Sequence, residues 1–98
     1  MSLTLKPLLP AVSVRAPEQI GHVLRRWRKA KNLTQVQIAK NAGLTQKTIS
    51  HIENGTKTTE VSTILSICAV LDLEIVIRER PQTMAGPSRL SEMFDVQS

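Results

Sequence analysis

The apolar positions of this 98-residue chain change their period along its length. Ile20, Val23, Leu24 and Trp27 recur every three or four residues while Arg25, Arg26, Arg28 and Lys29 face elsewhere, so the spacing predicts an amphipathic helix over residues 17–31. Pro17 suits its first turn, where an amide proton has no partner, and Asn32 closes it. Trp27 on the apolar stripe reads as core. Thr34-Gln35-Val36-Gln37 is a capping box, in which the Thr34 hydroxyl accepts from the third amide and Gln37 reaches back. Val36, Ile38, Ala39 and Ala42 form the stripe of this second helix, and Gly43 ends it in a left-handed conformation. Thr45 caps a third helix, residues 46–54, with Ile49 and Ile52 inward and Gly55 beyond its end. Thr58 or Thr59 caps a fourth, residues 60–71, buried through Val61, Ile64, Leu65, Ile67, Cys68 and Leu71.

Then the period becomes two. Leu73, Ile75 and Ile77 alternate with Glu74, Val76 and Arg78, which predicts a strand over residues 73–80, stopped by Pro81. Residues 1–16, with Pro7 and Pro10, read as an arm carrying at most a short edge strand, and residues 81–98 as a flexible tail. A lone strand leaves a row of unpaired amides and carbonyls. Pairing with the same strand of a second copy satisfies them, so a symmetric homodimer through Leu73, Ile75 and Ile77 is expected.

Charge adds a partner class. The chain carries thirteen Lys and Arg against eight Asp and Glu, a net +5, and the excess is local: residues 15–57 sum to +7 and residues 58–98 to −3. A polyanion is the expected partner of the cationic middle. One cysteine, Cys68, excludes an internal disulfide, and no Cys/His cluster has metal-ligand spacing, so neither metal nor cofactor is expected. The apolar stretch of residues 61–77 is broken by Ser62, Thr63, Ser66, Asp72 and Glu74, and no basic segment leads the N-terminus, so the reading is a soluble cytoplasmic protein with no membrane partner.

Two short capped helices joined through Ala42-Gly43-Leu44 form a helix-turn-helix. Here Thr34-Gln35, Ile38-Ala39, Gly43-Leu44, Ile49-Ser50 and Glu53-Asn54-Gly55 resemble the Xre/Cro-type family, and Val61, Thr63-Ile64, Ile67-Cys68 and Leu71 resemble its following helix. The resemblance covers roughly residues 18–73. It implies a mostly α, lambda-repressor-like domain of four to five helices over residues 17–72, followed by the one strand. Asp72 departs from the family, which usually places a helix-ending Gly there.

Gln46, Lys47, Ser50 and His51 lie on the face of the third helix opposite Ile49 and Ile52, where its N-terminal end would enter a major groove of double-stranded DNA. Gln46 suits a bidentate contact with adenine, Lys47 a guanine edge or a phosphate, and Ser50 and His51 further edges. Gln35, at a helix start where free amides attract a phosphate, joins Thr45, Thr48, Asn54 and Lys57 as backbone-contacting candidates. Arg28 and Glu53 match family positions that form an internal ion pair.

The helix-turn-helix followed by strand and tail further resembles the HipB-type antitoxins. That resemblance implies a dimer that represses its own operon at a palindromic operator and binds a HipA-like Ser/Thr kinase toxin, with Phe94 a candidate tail contact. The alternative is a stand-alone phage-type or metabolic repressor, identical in its DNA-reading residues. An enzyme would need a convergent nucleophile and base; both histidines lie in basic helices and the acids do not cluster, so none is expected.

Overall fold

The computed structural model describes residues 8–56 and 59–81. Four helices follow one another: α1 (Pro17–Ala30), α2 (Gln35–Ala42), α3 (Gln46–Glu53) and α4 (Val61–Leu71). Their junctions are set by local chemistry. At α1 the Gln19 Oε1 accepts from the amides of Arg15 (2.6 Å) and Ala16 (3.0 Å), supplying the reach-back half of a cap that an alanine cannot complete. At α2 the expected capping box is present: the Gln37 amide donates to Thr34 Oγ1 (3.1 Å) and the Thr34 amide to Gln37 Oε1 (2.8 Å). Gly43 ends α2 at φ 71°, ψ 31°, and the Leu44 amide returns to the Ala39 carbonyl at 2.8 Å. Asp72 ends α4 in the same left-handed way at φ 57°, ψ 46°, with the Leu73 amide on the Cys68 carbonyl, so the family's usual glycine is replaced without losing the turn.

The core is aliphatic: Leu24, Ile38, Ala39, Ile49, Ile52, Ile64, Ile67, Cys68 and Leu71 are buried together, with Trp27 packed against their edge. Burial pushes the Cys68 thiol above its ordinary pKa. Three expected core positions are corrected. Val36 is 62%, Val61 70% and Leu65 49% exposed. The inward stripe of α2 runs through Gln35, Ile38, Ala39 and Ala42, and that of α4 through Ile64, Ile67, Cys68 and Leu71; Val36 and Leu65 each sit one residue, about 100°, off their stripe. The fourth helix also starts later than expected, with Glu60 as its N-cap, whereas Thr59 precedes that cap and Thr58 lies outside the described residues.

Gly21, in the middle of α1, was not singled out by periodicity. A Cβ there would overlap the Ile52 carbonyl oxygen, so its absence is what lets α1 lie directly on the end of α3. Lys31 ties the other end of α1 to α4: its Nζ donates to the Leu71 carbonyl, one of the helix's unpaired C-terminal acceptors, and stands 5.7 Å from the Trp27 ring centroid.

Beyond Leu73 the chain runs exposed to Pro81, and neither these residues nor residues 8–16 join a sheet. The predicted strand therefore forms no ladder among the described residues; its expected partner is the same segment of a second copy. Among the described residues no helix is long and apolar enough to cross a membrane.

Candidate nucleic-acid interface

Both α2 and α3 begin with Thr-Gln. Each threonine caps its helix: Thr45 Oγ1 accepts from the Thr48 amide (3.1 Å), and the two hydroxyls lie 2.8 Å apart. Each glutamine is thereby placed at the first helical position, and the crossing of the two helices brings Gln35 and Gln46 together. Gln46 Nε2 donates to Gln35 Oε1 at 2.7 Å, and Gln35 Nε2 donates to Glu53 Oε1 at 3.1 Å.

Glu53 is a buried carboxylate, 4% exposed, and its charge is matched on site. The Arg28 guanidinium binds it as a fork, Nε to Oε2 at 2.7 Å and Nη2 to Oε1 at 3.0 Å, while Nη1 donates to the Leu33 carbonyl at 2.8 Å. The expected Arg28–Glu53 pair is thus present, and it does more than join α1 to α3. It anchors a four-residue chain, Arg28 to Glu53 to Gln35 to Gln46, that ends at the exposed start of α3. Periodicity missed this chain; the repeated Thr-Gln pair was the signal that could have found it.

The chain leaves the tip of Gln46 with its Oε1 and second N–H free of partners among the described residues, which is the donor–acceptor pair an adenine edge requires. Gln35 keeps one N–H beyond those used in the chain, beside the open amides of α2. Lys47 is exposed next to Gln46, and Ser50 and His51 follow, half-buried, on the same side of α3. Asn54 is exposed at the C-cap of α3, and the Thr56 amide folds the following loop back onto the His51 carbonyl at 3.1 Å. Lys57 and Phe94 lie outside the described residues.

A capped helix pair with a left-handed glycine turn and an exposed polar helix start defines a helix-turn-helix DNA-binding regulator. The helix-turn-helix family model matches residues 24–77, more than half of the chain, and the chain belongs to that family, in its Xre-type branch. Two curated relatives are similar to it. An uncharacterized HTH-type transcriptional regulator, y4dL of Sinorhizobium fredii, is 38% identical over 60 residues, 61% of this chain and 31% of that longer one. Antitoxin HipB of Escherichia coli O6:H1 is 30% identical over 64 residues, 65% of this chain and 68% of that one. Among solved structures, a HipA-HipB-O2-O3 complex superposes with a TM-score of 0.67 at 27% identity, covering 72% of this chain and all of the matched one.

Proposed function

We propose that the protein is a dimeric, sequence-specific transcriptional repressor that serves as the antitoxin of a HipBA-type operon, repressing its own promoter and neutralising a HipA-like Ser/Thr kinase toxin. The observation that carries the DNA-reading half is the hydrogen-bonded chain from Arg28 to Gln46, because it holds a base-reading side chain in place before any ligand arrives. Gln46, Lys47, Ser50 and His51 read base edges, and Gln35, Thr45, Thr48, Asn54 and Lys57 hold the flanking backbone. Leu73, Ile75 and Ile77 pair with the same residues of a second copy, which sets two α3 helices against the halves of a palindrome. The site of action is cytoplasmic, on chromosomal DNA. The toxin half of the reading is supported by the likeness to HipB and to the HipA-HipB-O2-O3 complex, with the tail around Phe94 as the offered contact. The second reading is a stand-alone phage-type or metabolic repressor with no toxin partner, identical in its DNA-reading residues; y4dL, to which the chain is similar, carries the broader description of an HTH-type transcriptional regulator.

Selection of a binding site from random duplex DNA, repeated with Gln46→Ala/Lys47→Ala, tests the first half. The variant should keep its helical spectrum and lose preference for the selected site by about ten- to a hundredfold, the worth of one good bidentate pair. Undiminished preference would remove α3 from the reading role. Affinity capture from the native cells tests the second half: a stoichiometric kinase-like chain supports the antitoxin, and only DNA and self leave the plain repressor.

A further inference from the structure

The outward face of α1 carries charge that the reading site does not use. His22, Arg25, Arg26 and Lys29 stand at i, i+3, i+4 and i+7, a single helix face, and all four are exposed. Gly21 and Leu24, both buried, and the ion-paired Arg28 occupy the other side. Among the described residues the only ion pair is that of Arg28 with Glu53, so the three cations of the stripe meet no carboxylate. The one acid of α1, Glu18, sits a turn ahead of the stripe, against Gly55. α1 meets α3 through its inner side, at Gly21 and Arg28, while Gln46 and Lys47 lie on the exposed side of α3. The stripe therefore lies on the side of α1 turned away from α3.

We infer that this stripe is a second, sequence-blind phosphate-binding surface that holds DNA outside the half-site read by α3; the inference rests on the DNA-reading role proposed above. The spacing supports it. At about 1.5 Å of rise per residue, Arg25 to Lys29 spans about 6 Å. One duplex strand presents a charge every 3.4 Å or so of axis, so about two phosphates face that length within reach of the three long side chains. Two of the three cations are arginines, whose planar forks suit phosphate oxygens. Three cations gathered within about one helical turn fit the closely spaced phosphates of a duplex strand better than the scattered carboxylates of a protein surface. The phosphates have two sources, the flank of the same duplex bent around the domain, or a second duplex bridged to the first.

The test compares wild-type protein with Arg25→Gln/Arg26→Gln/Lys29→Gln on three probes: a duplex of about 20 bp holding only the selected site, one of about 60 bp with that site at its centre, and the short duplex together with an immobilised unrelated duplex. The variant should match wild type on the short duplex in affinity and salt slope. On the long duplex, or in capture of the unrelated one, its slope should be shallower by up to about 2.7 per protomer, with affinity down about tenfold at physiological salt. A loss confined to the long duplex assigns the flank, and a loss confined to capture assigns bridging. Arg25→Lys/Arg26→Lys should keep the salt slope, which counts charges, while giving up part of the affinity that the planar forks add. Lys29→Glu alone should shift the slope in the same direction, and it serves if the triple variant fails to fold. Equal behaviour on every probe, equal weakening on the short duplex, or loss of an acidic protein partner with DNA binding intact would each overturn the inference. Failure of wild type to bind the short duplex would overturn the α3 reading, and this inference with it.

Discussion

The core isoleucines of the helices and the two isoleucines beyond Leu73 differ in nothing but position. Ile38 and Ile49 are 1% exposed and Ile67 3%, whereas Ile75 is 50% and Ile77 95% exposed, and Val76 between them 69%. A buried isoleucine contributes about 1.5–3 kcal/mol relative to one left in water. A helix closes its own backbone hydrogen bonds and then needs only an apolar stripe to dock, so α1 to α4 finish each other within one chain. A period-two segment needs a neighbour for its backbone before its side chains can be covered. The helical domain is self-sufficient, and residues 73–80 are not.

The sharpest way to break the helical half is through Glu53, the one buried charge among the described residues. Glu53→Ala removes the carboxylate and strands the Arg28 guanidinium, 11% exposed at its side chain, against the Leu33 carbonyl. Loss of one partner from a buried pair costs about 3–5 kcal/mol, a large share of what holds a domain of this size together. Urea unfolding should show that loss directly, and DNA affinity at a temperature where the variant is still folded should fall as well, because Gln35 loses its anchor. An unfolding free energy within about 0.5 kcal/mol of wild type would mean that the pair acts as a surface feature.

How far the sequence foretold this division depends on the range of the interaction. The caps at Thr34 and Thr45, the turn at Gly43 and the inward Ile49 and Ile52 are settled within four residues of themselves, and all stand as expected. Which of two adjacent residues faces the core is settled by the neighbouring helix, so Leu65 beside Ile64 was misread as buried, and so was Val36, beside a Gln35 that turns inward to meet Glu53. Gly21 and Lys31 could not be read at all: one answers to the Ile52 carbonyl and the other to the Leu71 carbonyl, acceptors brought near only by folding. The strand is the extreme case, since its expected partner is not in the chain. Within the site, exposed Gln46 and Lys47 were legible from helix periodicity, while the link that orients Gln46 crosses from α3 to α2 and back to Glu53.

The insufficient half breaks separately. Ile75→Lys/Ile77→Lys places charges where two copies are proposed to pair, and the dimer dissociation constant should rise about a hundredfold or more, the equivalent of about 2.8 kcal/mol. Thermal unfolding of dilute protein, read by helix signal, should hardly move, because neither side chain is buried in the monomer. Sedimentation that stays dimeric would place the interface elsewhere. A collapse of the helical signal would erase the distinction between the two halves.

The finest comparison is between two of the left-handed helix ends, Gly43 inside the domain and Asp72 at its border with the unpaired segment. Gly43 has open space where a Cβ would go, so Gly43→Ala isolates the backbone term: at φ 71° an alanine should cost about 1 kcal/mol, with no packing loss added. Asp72 already bears that strain at φ 57°, and it places a carboxylate beside the carbonyl end of α4, the wrong sign for the helix dipole. Asp72→Gly should therefore stabilise, by about 0.5 kcal/mol once the greater freedom of the unfolded glycine is subtracted, and Asp72→Asn should recover the charge part alone. Melting temperatures should move in opposite directions, down by roughly 4–8 °C for Gly43→Ala and up by about half as much for Asp72→Gly. A fall in both would mean that the Asp72 side chain makes a contact worth more than the strain it bears. That would transfer residue 72 from the end of the domain to the start of the interface.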